Sequence, residues 1–294
     1  MSKFSASFKP LNGVVALVVG TVLFGFGLSS QALAQDHNRV VAVGGSVTEI
    51  VYALGEEDRL VARDSTSTYP DEATALPDVG YIRALSPEGV LSVKPDLVLL
   101  LDGSGPAETV DVLKASEVEI VNIPDEASAE GIVAKVKAIG DALGVAEKAD
   151  ALADKVEEDI AVAQSGISEK VKGQKVVFVL SYRDGRIMAS GADTQASAMI
   201  ELAGATNAMN DFSGYKQLSD ESILTAQPDV ILMMDNGHGT AVSADQLFAH
   251  PALSVTPAAK NKRLITMPGL YLLGFGPRTA DAIRDLADQF AEAG

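Results

Sequence analysis

The chain has 294 residues and no cysteine, and its 40 Asp and Glu against 23 Lys and Arg give a formal charge of −17. The lack of cysteine excludes disulfides and thiolate chemistry, and so acidic a chain is poorly suited to binding nucleic acid or an anionic membrane surface. The length suits one large domain or two smaller ones.

The first segment reads as an export signal. Lys3 and Lys9 supply a positive region, residues 14–28 an apolar one, and Ala32-Leu33-Ala34 a small-residue cleavage site. The apolar run is short for a spanning helix and is interrupted by glycines. Cleavage after Ala34 leaves 260 residues, and loss of both lysines takes the charge from −17 to −19. An exported chain without cysteine fits a bacterial periplasm, where a core of this size needs no staples.

Residues 39–44 predict a strand, and Ser46-Val-Thr-Glu49 a capping box that opens a helix ending at Gly55. A second strand at 60–63 leads into the loop Asp64-Ser-Thr-Ser-Thr-Tyr69-Pro70. Further strands are expected at 118–122, 175–180, 186–191 and 263–267. Helices are expected at 128–143, near 199–204 and at 279–293. Such alternation predicts an α/β fold with mostly parallel sheets covered on both faces. Residues 146–165 differ: Ala149, Leu152, Ala153, Val156, Ile160 and Ala163 make one apolar stripe at helical spacing, with Gly166 as a stop. This long helix between the halves predicts a stiff connection, where a Gly/Ser linker would flex.

A phrase occurs twice. Residues 85–102, from Leu85-Ser-Pro-Glu88 to Lys-Pro-Asp and an apolar strand, return without a gap as residues 218–235, from Leu218-Ser-Asp-Glu221, 133 positions on. Each copy reads as a serine cap, an acid in the first turn, a short helix, a Pro-Asp turn and a buried strand. The spacing is too wide for a solenoid and predicts two lobes built on one plan. The assignment is 1–34 signal peptide, 35–145 first lobe, 146–168 linker helix and 169–294 second lobe.

Signals for catalysis are weak, and the reading is of a binding protein and not an enzyme. Histidine is confined to His37, His238 and His250, and no HExxH, phosphate-loop or GxSxG pattern is present. Gly44-Gly45-Ser46 lacks the lysine of a phosphate loop and reads as strand-to-helix punctuation.

Binding candidates cluster at expected strand ends, where open α/β sheets take their ligands. Tyr69 follows the second strand. It reads either as a ring packed over its loop or as a phenolate ligand to ferric iron, an oxygen donor suited to a hard ion. A phenol is neutral at pH 7, so ionisation needs the metal or a cation, and Arg83 is the nearest cation expected in the same cleft. The stretch Gly269-Leu-Tyr271-Leu-Leu-Gly-Phe-Gly-Pro-Arg278 reads as core and turn or as the wall of an apolar pocket. His238, at the end of the second repeat strand, is a candidate second iron contact. Glu88 and Glu221 complement a helix dipole. Their equivalence in two lobes also suits a symmetric pair facing a two-fold partner.

These residues resemble the periplasmic substrate-binding proteins of bacterial haem ABC importers, within the wider group that binds vitamin B12 and ferric siderophores. The repeated Leu-Ser-x-Glu…Pro-Asp phrase is shared by the wider group. Asp64-Ser-Thr-Ser-Thr-Tyr69-Pro70 and the stretch from Tyr271 to Arg278 are closer to the haem branch. The resemblance implies two lobes joined by one long helix, with haem b as transported cargo between them. It implies Tyr69 as axial iron ligand, and Glu88 and Glu221 as docking residues for an inner-membrane permease dimer with its ATPase. For a second contact near the iron it leaves Arg83, Arg183 and His238, with one haem or two stacked. The chain is expected to act as a monomer. The alternative is the same scaffold carrying a ferric siderophore or a corrinoid.

Overall fold

The computed structural model describes residues 1, 3, 5–7, 37–235 and 242–292. The expected signal segment thus lies almost wholly outside the described residues. Contacts divide the chain into Met1–Leu33 and Ala34–Gly294, and the fold is that of the second unit.

The first lobe runs β1 (Val40–Val43), α1 (Gly45–Ala53), β2 (Leu60–Arg63), α2 (Pro87–Ser92), β3 (Leu97–Leu101), α3 (Ala107–Lys114), β4 (Glu119–Ile123) and α4 (Ala129–Leu143). Its strands form a wholly parallel sheet in the order β2-β1-β3-β4. β1 and β3 are buried along their full length, as strands covered by helices on both faces must be.

α5 (Ala146–Ser165) then leads to β5 (Lys175–Arg183), β6 (Arg186–Ser190), α6 (Gln195–Leu202), β7 (Thr206–Asn207), β8 (Tyr215–Gln217), α7 (Asp220–Ala226) and β9 (Val230–Asp235). α8 (Ala244–Phe248), α9 (Pro257–Lys260), β10 (Leu264–Pro268), α10 (Gly269–Leu273) and α11 (Thr279–Ala291) complete the chain. The second sheet is ordered β10-β9-β5-β6-β8, with β7 also on β5. It is parallel across β10, β9 and β5, but β6 and β8 run antiparallel. This hairpin is the antiparallel part of the otherwise parallel sheets. It is made by Asp184-Gly185, both at positive φ (51° and 73°), as a two-residue turn between twisted strands requires.

Ala149, Ala153, Val156, Ile160 and Ala163 of α5 are buried. They belong to one apolar cluster that runs from Val40, Leu97 and Ile139 of the first lobe to Phe178, Ile283 and Phe290 of the second. The connecting helix is therefore part of a continuous core, and bending it would open close-packed contacts.

The expected capping box at Ser46 does not form. Gly44, at φ 112°, makes the turn out of β1, and α1 begins at Gly45 without a side-chain cap. Asp64 Oδ1 accepts from the Gly44 N–H at 2.9 Å and Thr66 Oγ1 from the Gly45 N–H at 3.0 Å. The helix start is thus satisfied from β2's loop, and Ser46 and Glu49 are buried toward the other lobe instead.

Candidate functional site

The loop that carries Tyr69 is fixed by its own polar residues. Asp64 is fully buried. Besides Gly44, it accepts from the Thr66 N–H (3.0 Å), the Thr66 hydroxyl (2.7 Å) and the Ser67 hydroxyl (2.8 Å). Ser67 Oγ also lies 2.7 Å from Thr48 Oγ1 of α1. A buried carboxylate is tolerable only when so fully bonded. The motif from Asp64 to Thr68 is thus an anchor, and Tyr69 is its exposed end, with 41% of its surface open.

Arg278 of the second lobe covers the Tyr69 ring, its guanidinium carbon 3.4 Å from the ring centroid and 5.1 Å from that of Tyr271. The same guanidinium donates to Glu49 Oε2 at 2.8 Å, and the Arg278 N–H donates to Glu49 Oε1 at 3.2 Å. Glu49 is 5% exposed. A charge that buried requires such a partner. The Tyr271 hydroxyl donates to Asp285 at 2.8 Å. Burial, then that bond to Asp285, push the Tyr271 phenol far above the ordinary tyrosine range. Tyr271 therefore stays a neutral donor, with its oxygen committed to α11.

Beneath this mouth lies a second tie between lobes. Lys135 of α4 is fully buried. Its ammonium donates to Asp125 at 2.6 Å, to Ser46 Oγ at 3.2 Å and to the Phe275 carbonyl at 3.1 Å. Asp125 also accepts from Gln195, at the start of α6, at 3.2 Å. Burial lowers the Lys135 pKa, with Asp125 opposing. Gly45 belongs to the same seam: a Cβ there would lie 2.5 Å from Leu270 and 2.7 Å from the Thr66 carbonyl.

Further along the cleft, Arg83 of the first lobe lies within Coulombic reach of Tyr215 on β8. Burial raises the Tyr215 phenol, and Arg83 and a bond to Thr194 oppose it. Tyr81, two residues before Arg83, is 49% exposed. Arg183 and Arg186 line a recess of about 280 Å³, completed by Ser181, Asp184, Met188 and Gln217. His238 lies outside the described residues. Glu88 and Glu221 are exposed in the first turns of α2 and α7, whose caps match: Ser86 accepts from the Gly89 N–H at 3.0 Å and Ser219 from the Ser222 N–H at 3.1 Å.

Of the residues singled out in sequence, the fold brings Tyr69 and Tyr271 together around Arg278. That arginine closes the Tyr271 phrase, yet nothing in the phrase shows it reaching the other lobe. Glu49, Tyr215 and Arg186 were missed likewise. The signal for Arg186 was Asp184-Gly185, a strong hairpin dipeptide. Among the described residues no group of three or more His, Cys, Asp or Glu stands ready to hold a metal ion.

A two-lobed fold with a linking helix and a cleft of this kind defines a substrate-binding protein. The family model described as "Periplasmic binding protein" matches residues 40–271, and the chain belongs to that family. It is 30% identical to an uncharacterised ABC transporter substrate-binding lipoprotein of Bacillus subtilis, YvrC, over 87% of this chain and 81% of the relative. It is 27% identical to the vitamin B12-binding protein of Pectobacterium atrosepticum, over 86% and 88%. The solved structure of the periplasmic haem-binding protein BhuT in complex with two haems superposes with a TM-score of 0.82 at 36% identity, covering 87% of this chain and 98% of that one.

Proposed function

We propose that this protein captures haem in the cleft between its lobes and delivers it to an inner-membrane ABC transporter. The observation that carries the reading is the pairing at the cleft mouth. Tyr69 is an exposed phenol on an anchored loop, with a guanidinium on its ring, while Tyr271 beside it has its oxygen tied to Asp285. Only the Tyr69 oxygen of the two is free to take a ferric ion. A tyrosinate bound to iron carries negative charge, which Arg278 offsets. Likeness to a haem-bound relative supports the cargo. The exported form begins at Gln35, with lobes at 35–145 and 169–294 and the linker at 146–168. It acts as a monomer, haem b is the form carried, and Arg83 and Tyr271 wall the cleft. Exposed acids in matching helix turns of two lobes support Glu88 and Glu221 as the surface that meets a two-fold permease.

The test is a hemin titration of the exported form beside Tyr69→Ala. A saturable Soret change with a ferric tyrosinate signature, lost in the variant, is the expected result. Saturable binding of cyanocobalamin with no response to hemin would replace haem by a corrinoid on the same scaffold.

A further inference from the structure

We propose that Arg183 and Arg186 form an anion subsite of the cleft that takes the carboxylate edge of the cargo, which for haem is its pair of propionates. The inference rests on the haem reading and adds to it the direction in which the porphyrin lies.

The two arginines flank the Asp184-Gly185 turn and stand directly opposite each other on β5 and β6. Like charges directly opposed on antiparallel strands cost stability. Side chains alternate across a sheet, and Tyr182, Ile187 and Leu218 take the inner side, in the second lobe's own core. Arg183, Arg186, Ser181, Met188 and Gln217 share the other side and line the recess. Tyr215, two residues before Gln217, shares that side as well, and it is the residue within reach of Arg83 from the first lobe. The recess thus shares its side of the sheet with Tyr215, the residue that Arg83 of the first lobe influences.

Charge pairing singles out the same residues. Of the nine arginines in the chain, Arg39, Arg59, Arg63, Arg263, Arg278 and Arg284 bond to carbonyls or carboxylates. Among the described residues, Arg83, Arg183 and Arg186 have no such partner, although acids outnumber bases 40 to 23. Arg278 also lies on the cleft, but Glu49 holds it, which leaves these three guanidinium groups without an anion. Asp184 also lines the recess, so its own charge is one positive, and Arg83 across the cleft makes two. Guanidinium forks match carboxylates in two-point contact, and a carboxylate entering the site relieves the repulsion between them.

Hemin and its iron(III) dimethyl ester, which lacks the two charges, would be titrated into the wild type and into Arg183→Gln/Arg186→Gln. The double variant is expected to bind hemin roughly 10- to 100-fold more weakly, the range for losing hydrogen bonds to charged groups. Its affinity for the ester and its Soret band should match the wild type's. Undiminished hemin affinity overturns the subsite, as does an equal loss for hemin and ester, which would mark a structural role. A wild type that binds no hemin overturns the haem reading itself, and this inference with it.

Discussion

The Arg278 guanidinium lies 3.4 Å from the centre of the Tyr69 ring while paired at 2.8 Å with Glu49, so one side chain of the second lobe holds two residues of the first. The stack is worth about 0.5–2 kcal/mol. The pair matters more, because Glu49 is 5% exposed and its carboxylate would be left buried and alone. Arg278→Ala is expected to cost about 3–5 kcal/mol in urea unfolding. Glu49→Met/Arg278→Met should recover most of that loss, since no charge is then stranded. Arg278→Lys should keep part of the stability but not the hemin affinity, as an ammonium cannot lie flat on the ring and bond the carboxylate together.

Glu88 and Glu221 sit at matching first turns of α2 and α7, each one residue after the start of its helix and both exposed. Among the described residues neither bonds to a side chain of the cleft. Glu88→Lys/Glu221→Lys is expected to leave hemin affinity within about twofold of wild type. Each reversal costs roughly 0.3–1 kcal/mol of helix-dipole stability. Haem-dependent growth of a host carrying the double variant should fail. Growth equal to wild type would remove the docking role.

Most of the fold was legible because its signals are local. The linker helix follows from a stripe at 3.6 spacing, and both repeat units follow from a serine cap and an apolar run. The short strands β7 and β8 were not legible, because two or three residues, exposed throughout in β8, carry no periodicity. The site was half legible. Tyr69 was found from its place after a strand. What fixes it was not, because Glu49, Lys135 and Arg278 act across the seam between lobes. Ser46 and Glu49 even imitate a capping box. Sequence shows their spacing but not that Asp64 and Thr66 have already satisfied the helix start.

Lys135 offers a pH test of the second tie. Its ammonium is fully buried among Asp125, Ser46 and the Phe275 carbonyl, with Glu49 also in electrostatic range. Burial lowers its pKa below the ordinary 10.5, against the pull of Asp125. The folded protein then releases this proton at a lower pH than the unfolded chain does. Between the two values the unfolded state binds more protons, and stability rises with pH. Lys135→Met removes the titration and strands Asp125, so the variant should be less stable by about 3 kcal/mol at neutral pH. Measured by urea unfolding, the wild type's advantage over it should widen as pH climbs from the lowered pKa toward 10.5. A gap that stays constant or narrows over that window would show that this lysine is not held below its ordinary pKa in the folded protein.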